Sequence, residues 1–440
     1  LAYRGDIAVG AALLFVPLQL LLFLFVSRSS DRLLLYFVSV LPLSALELLP
    51  YKYPQLAIYA GGTALAALFV LDDHAMGSDR AGRRTAPRAF ALGLGTLVFC
   101  AVVSAVTAWV RGWWSEFIPH YTALLFVAII WSWFAATRAQ TERQVRSVLQ
   151  AMAVSYGVVG LALPALASGA VGGDIGKTLM TPFGVVNLNV LASHVASFGV
   201  VAIGLSLERG TTVRRAFFAV LGAVLAGVLI YTKSRGAWVG FAVGYLYLMF
   251  RRKSLWLVIP ALAIAATVMA SELMRSLLTW RITQTSSSDP AVWARFLLWQ
   301  YAVDIFRGNW LFGVGWENFR YVKQLFGYPL PMGYGTVFNT NNLFLELAVD
   351  LGVLGLVAFL LLCVRSVVVL DRTARRTRGG MAYVAAAVNA GLLTFLVHGL
   401  FDCVTWQHGA IMLLFIFFGL AAAIERSPLA QVPSSSSLGR

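Results

Sequence analysis

Charge is what this chain has least of. Asp, Glu, Lys and Arg make up 12% of its 440 residues, about half of the roughly 25% typical of a soluble domain. With 59% hydrophobic residues and a mean hydropathy of +0.78, that scarcity excludes a soluble globule. Acidic residues are scarcest, 19 against 34 Lys plus Arg, for a net charge of +15. A nucleic-acid binder would gather such a surplus on one soluble face. Here the arginines sit in short loops between apolar runs, where they report topology and meet anionic headgroups. Cysteine is rare as well. Cys100, Cys363 and Cys403 lie in or beside apolar segments without metal or redox spacing, and read as small core hydrophobes. There is no alternating pattern of the kind a β-barrel needs and no repeat of fixed period; the first apolar run, Ile7 to Val26, is long enough to span and lacks a small-residue cleavage site, so it is expected to be a span rather than a cleavable leader.

What is present is a succession of Leu/Ala/Val-rich runs of about 20 residues, the length that crosses a bilayer as a helix. Candidate spans lie near 7–26, 33–50, 54–71, 89–109, 118–137, 147–168, 189–207, 216–232, 237–250, 254–271, 343–370, 382–400 and 409–424. Basic loops recur at Arg80/Arg83/Arg84/Arg88, Arg138/Arg143/Arg146, Arg209/Arg214/Arg215, Arg251/Arg252/Lys253 and Arg372/Arg375/Arg376/Arg378. Two spans separate each neighbouring pair, so the positive-inside rule puts all of them in the cytoplasm. Segments 110–117, 169–188, 232–236, 272–342 and 401–408 then face the periplasm. Pro42, Glu47 and Pro50 mark 33–50 as short or re-entrant; about 12 spans with both ends cytoplasmic is the favoured count. The expected fold class is therefore an all-α polytopic membrane protein: N-terminal transmembrane helices in 1–271, one large periplasmic loop in 272–342, C-terminal transmembrane helices in 343–425 and a disordered tail in 426–440.

Within the large loop, Asp289-Pro290 is a helix-start signal, and Ala291 to Phe306 reads as an amphipathic helix lying at the membrane surface. Trp310, Trp316, Tyr321 and Tyr328 suit an interfacial belt. Arg275, Arg281, Arg307, Arg320 and Lys323 read mainly as headgroup contacts.

Chemistry is expected where polar groups collect on one face. In Tyr231-Thr-Lys233-Ser-Arg235-Gly236, the two cations break the positive-inside pattern, and charge at membrane depth is by default a functional hypothesis. The planar fork of Arg235 suits a diphosphate; a snorkelling anchor is the plainer reading, and the stronger one for Lys233. Arg295, one turn before Trp299, is a partner for such a clamp. Asn339, Asn341 and Asn342 precede Leu343-Phe-Leu-Glu346. Asparagines there serve as caps, above all Asn339, while Glu346, one turn inside a span, is a base or an arginine's partner. Asn189 divides evenly between capping and binding. His398 and Asp402, four apart with His408 following, form a structural pair or a base with its orienting carboxylate. Metal binding would need further ligands, and Gly313-Val-Gly315 lacks the context of a nucleotide loop.

Several patches, taken in order, resemble the O-antigen ligase and polymerase superfamily: Asn187-Leu-Asn189-Val-Leu-Ala192, Ser234-Arg235-Gly236-Ala237, Arg295 with Trp299, Leu311-Phe-Gly-Val-Gly315 with Phe319, Asn341-Asn342-Leu-Phe-Leu-Glu346, Gly352-Val-Leu-Gly355 and His398-Gly-Leu-Phe-Asp402. The resemblance covers roughly residues 90 to 425. It implies a metal-independent, inverting glycosyltransferase of the GT-C type in the bacterial inner membrane, with no cofactor. The implied donor is an undecaprenyl-diphosphate-linked glycan, and in ligases the acceptor is lipid A-core. It also implies that Arg235 and Arg295 bind the diphosphate. In the family a histidine directly before an asparagine assists the acceptor hydroxyl; this chain has Asn341 there. An amide cannot act as a base near neutral pH, though it can orient a hydroxyl, so a base would come from Glu346 or His398. Competing readings are a polymerase extending one lipid-linked repeat with another, a lipid-linked sugar transporter, and a non-catalytic binder of the lipid-linked sugar.

Overall fold

The computed structural model describes residues 29–41, 62–69, 86–168, 178–181, 184–253, 257–258, 290–328, 339–405 and 407–427. The expected span 7–26, most of 254–271 and of 54–71, the second half of 33–50, and the signals at Asp289, Arg275 and Arg281 lie outside these residues, as does the tail beyond Ser427; Arg426, expected to begin that tail, ends the last helix.

The elements in chain order are α1 (Ser30–Val40), α2 (Arg88–Val110), α3 (Phe117–Arg138), α4 (Glu142–Ser168), a hairpin of β1 (Thr178–Thr181) and β2 (Gly184–Asn187), α5 (Leu188–Ser206), α6 (Thr212–Tyr231), α7 (Arg235–Arg252), α8 (Pro290–Asn309), α9 (Phe319–Leu325), α10 (Leu343–Arg376), α11 (Gly380–His398) and α12 (His408–Arg426). Among the described residues, α2, α3, α5, α6, α10, α11 and α12 are long and apolar enough to cross a membrane. The chain is thus a multi-pass membrane protein. In hydrocarbon every backbone polar group must be satisfied within the protein, and helices do that segment by segment. The all-α expectation needs one amendment: β1 and β2 pair antiparallel, Thr178 opposite Asn187, inside the segment expected to be a plain loop.

The core is built on α5, α11 and α12, whose side chains are buried on nearly every face. Phe198 of α5 stacks on Tyr156 (4.7 Å between ring centroids) and on Phe417 (5.9 Å). Helices that bury only one stripe surround this trio; α2 and α6 leave Leu92, Phe99, Val106, Phe217 and Val220 exposed, as lipid-facing helices do. Small residues set the closest approach. Gly240 and Gly244 of α7 lie against the backbone of α11 at Thr394 and Ala390, where a Cβ would collide with carbonyl oxygens, the close contact small residues permit in membranes.

The two ends of the bundle differ in chemistry. At one end the basic loops meet. Glu208, after α5, takes Arg146 of α4 and Arg214 of α6; Asp371 near the end of α10 takes Arg251 of α7 and Arg375; Arg252 reaches the Ala382 carbonyl of α11; and Arg365 bonds Glu425 at 2.7 Å. Arg426 of α12 reaches the Ala86 carbonyl ahead of α2 at 3.5 Å. Among the described residues the basic loops thus lie together at one end of the bundle. The opposite end gathers the polar, glycine-rich segments.

Candidate functional site

At that opposite end the turn from His398 to Thr405, between α11 and α12, is the hub. Its first part stays helical, the Phe401 and Asp402 amides donating to the His398 carbonyl. Phe401 Cβ and His398 Cδ2 lie against Gly236, which brings the start of α7, and with it half-buried Arg235, to the hub. Asn189 Nδ2, at the start of α5, donates to the Asp402 carboxylate. Asn189 is not the cap of α5: Asn187 is, accepting from the Asn189 and Val190 amides, and the Asn189 side chain turns to Asp402. The Asp402 carboxylate expected to orient His398 is turned to Asn189. Lys233 is exposed, with a left-handed φ of 55°. His408 opens α12, its ring 5.4 Å from that of His120.

The asparagine segment docks on the same hub. Asn342 Nδ2 donates to Leu400 O (3.1 Å), and the Leu343 amide to Gly399 O (2.7 Å). Asn339 was expected to be the cap of α10, but Asn342 is: its Oδ1 accepts from the Phe344 and Leu345 amides at 3.0 and 3.1 Å. Asn339 instead spans the segment, its Oδ1 accepting from the Asn341 amide (3.0 Å) and its Nδ2 donating to Cys403 O (2.8 Å). Between them Asn341 is half-buried and left-handed, φ 51°. Asparagine and histidine are among the residues that tolerate this conformation best, so either side chain fits this backbone.

The amphipathic helix exists as α8, starting at Pro290, where a first-turn proline loses no hydrogen bond. Ala294, Leu298, Tyr301, Ala302 and Ile305 form its buried stripe, the last four packed with Val314, Phe319, Val322 and Val349. Trp293 and Phe296 are exposed on the other side. Half-buried Arg295 lies one turn before Trp299, whose indole N–H donates to Thr340 O at 2.8 Å. A single hydrogen bond therefore joins the helix of Arg295 to the residue preceding Asn341.

Below this surface lies a charged cluster that sequence reasoning missed. Arg320 and Lys323 are not headgroup contacts: they are 6% and 0% exposed. Arg320 pairs with Glu317 at 2.5 Å and lies over the rings of Phe117 and Tyr121. Burial opposes its charge, but Glu317 at its side, with Tyr121 and Glu346, holds the guanidinium above its ordinary value. Burial raises the Glu317 carboxyl against the pull of Arg320. Lys323 is brought down to about 8 by burial, which Glu346 only partly offsets and the Arg320 charge reinforces. The belt is corrected too: Trp316 is buried, Trp310 is exposed, and Tyr328 stacks on Tyr301 at 4.3 Å.

The cluster exists because Leu311 to Phe319 folds into a break in α10. Gly352 there has φ 70° and ψ −175°, a conformation essentially restricted to glycine, and the Val353 amide turns to Trp310 O. The Val314 and Gly315 amides bond the Val349 and Asp350 carbonyls at 3.0 Å. The Asp350 carboxylate accepts from the Glu317 (2.7 Å) and Phe319 (3.0 Å) amides. Asp350 and Glu317 were legible as hints, a carboxylate two turns inside an apolar helix and another in a glycine-rich turn, but nothing in the sequence said that they meet. Glu346 lies one turn before Asp350; its Oε2 accepts from the Thr340 amide at 2.6 Å, and its Oε1 is buried without a hydrogen-bond partner.

The structure thus brings the start of α7 beside Arg235 together with His398, Asp402 and Asn189 around one turn, and Asn341, Asn342 and Glu346 around the adjoining one, to which the helix of Arg295 is joined through Trp299. Among the described residues, no three His, Cys, Asp or Glu side chains converge as metal ligands. No curated protein matches the chain. Residues 217–360, from α6 through the break in α10, a segment that holds Arg235, Arg295, the buried cluster and Asn341, are similar to the family model described as O-antigen ligase.

Proposed function

We propose that this protein is an O-antigen ligase, which transfers a glycan from undecaprenyl diphosphate to lipid A-core during lipopolysaccharide assembly, at the periplasmic face of the bacterial inner membrane. The supporting observation is the hydrogen bond from Trp299 to Thr340, which joins the helix of Arg295 to the residue before Asn341 at the end of the bundle where α7 begins with Arg235. In this reading 272–342 is the periplasmic loop, and the polyprenyl chain lies between helices. The forks of Arg235 and Arg295 hold the diphosphate, with Lys233 adding charge. Preorganised donors at a leaving group that gains charge lower a barrier by several kcal/mol.

The acceptor hydroxyl, oriented by the amides of Asn341 and Asn342, attacks the anomeric carbon from the face opposite the diphosphate. The new C–O bond forms as the C–O bond to phosphate breaks, with inversion. Undecaprenyl diphosphate leaves with the bonding pair, and the hydroxyl proton passes to water. His398, Asp402, Asn189 and Glu346 shape the walls. The diphosphate linkage is already activated, so the step uses no metal and no cofactor.

The test is transfer by purified protein supplied with undecaprenyl-diphosphate-linked glycan and lipid A-core, read as a gel shift of the core lipid. Arg235→Ala and Arg295→Ala are each expected to lower transfer by about a hundredfold or more, the scale of losing a transition-state donor. Unchanged rates in both would end the clamp idea. Lengthening of the lipid-linked glycan without a core shift would identify a polymerase instead. Asn341→His, which suits the left-handed backbone, is expected to raise the rate by supplying a base.

A further inference from the structure

Thr340 is fully buried and every polar group it has is used. Its amide donates to Glu346 Oε2 of α10 (2.6 Å), its carbonyl accepts from Trp299 of α8 (2.8 Å), and its hydroxyl donates to Asn342 O (2.8 Å) while accepting from the Asn342 amide (3.2 Å). The next residue, Asn341, is the left-handed one, held further by Asn339 Oδ1. A sparsely populated backbone conformation persists only where its surroundings over-determine it, and here four side chains do so.

From this geometry we infer that Glu346 and Trp299 are positioning residues that clamp the Thr340 peptide from two helices and so fix where Asn341 stands relative to Arg295. The inference rests on the transferase reading. It gives Glu346 a role other than that of a base: its carboxylate acts through the Thr340 amide. Of the carboxylates in the cluster, Glu317 is occupied by Arg320 and Asp350 by two backbone amides; Glu346 alone reaches the asparagine turn. Trp299 matters for its indole N–H, which spans from the helix of the proposed diphosphate ligand to the residue beside the acceptor site.

Two substitutions at one position separate positioning from proton transfer. Glu346→Gln keeps an oxygen that can accept the Thr340 amide and removes the charge; Glu346→Ala removes both. Trp299→Phe keeps a ring and removes the N–H. Transfer kinetics are measured on each protein in nanodiscs, together with hydrogen exchange of a peptide covering 339–346. Glu346→Gln is expected to keep kcat within about threefold and to retain the slow exchange of the Thr340 amide. Glu346→Ala and Trp299→Phe are expected to lower kcat by about tenfold or more, the worth of one well-placed hydrogen bond, with little change in KM for the donor, and Glu346→Ala to speed exchange at Thr340. A Gln variant as slow as the Ala variant would overturn the inference in favour of a charge or proton role. So would unchanged kcat and exchange in both Glu346→Ala and Trp299→Phe. If the wild-type protein moves no glycan, the transferase reading fails on its own, and the exchange data still decide whether the clamp holds.

Discussion

The charged residues buried beneath the asparagine turn are held by one another rather than by water, and this sets what single substitutions do. Arg320→Met leaves buried Glu317 without its cation and with only the Thr405 hydroxyl as a side-chain partner among the described residues; removing one partner of a buried pair costs about 3–5 kcal/mol. Thermal unfolding in nanodiscs is expected to show a large drop in midpoint, and restoration by a simultaneous Glu317→Leu would show that the penalty came from the orphaned carboxylate. Lys323 adds a pH signature. Its amine sits at about 8, below the ordinary 10.5, because burial disfavours the protonated form. The unfolded chain therefore binds more protons between those values, and stability rises with pH across that window. Below about 8 the burial penalty is fully present. The midpoint difference between wild type and Lys323→Met should shift in the wild type's favour from pH 7.5 to pH 10; a flat difference would mean that the amine titrates as if in water. Sequence reading placed Arg320 and Lys323 at the headgroups because they lie in a polar loop rich in aromatics. Nothing local to that loop reveals that Gly313 to Phe319 is drawn inward by the carbonyls and carboxylate of a helix thirty-odd residues on.

Helices were the readable scale. The runs near 89–109, 118–137, 189–207, 216–232, 382–400 and 409–424 became α2, α3, α5, α6, α11 and α12 with ends shifted by a few residues, because apolar length in a bilayer leaves the backbone little choice. What length cannot show is where a helix yields. The run from 343 was read as one span, and Gly352-Val-Leu-Gly355 as a turn; the structure makes it one helix interrupted at Gly352 by the backbone of Leu311 and Phe312. Gly352→Ala is expected to be destabilising by more than the 1–3 kcal/mol of conformational strain alone, since the added Cβ also meets the Leu311 carbonyl. Folded yield by fluorescence-detected size exclusion would check it. On α7, Gly240→Leu drives a side chain into the Thr394 backbone of α11 and should separate Arg235 from His398. Gly227→Leu on α6, where a Cβ meets open space, is its control and should leave the yield unchanged.

For the whole molecule, charge asymmetry carried the argument, and the fold repeats it. The basic loops converge through Glu208 and Asp371 at one end, the asparagines and glycines at the other. Single cysteines at Arg378 and Trp310, in a background with the native cysteines replaced, should label from opposite sides of an intact membrane with an impermeant maleimide. Labelling from the same side would reject the alternation. Scale also explains α10. The roughly 24 residues after its break extend about 36 Å at 1.5 Å per residue, enough by themselves to cross a hydrocarbon layer of about 30 Å. The short piece before the break, carrying Glu346 and Asp350, is surplus to that crossing. On the transferase reading it is a depth gauge: the rod sets the break where acyl chains give way to headgroups, and the asparagine turn a fixed step above it, where a lipid's phosphates end and its sugar begins.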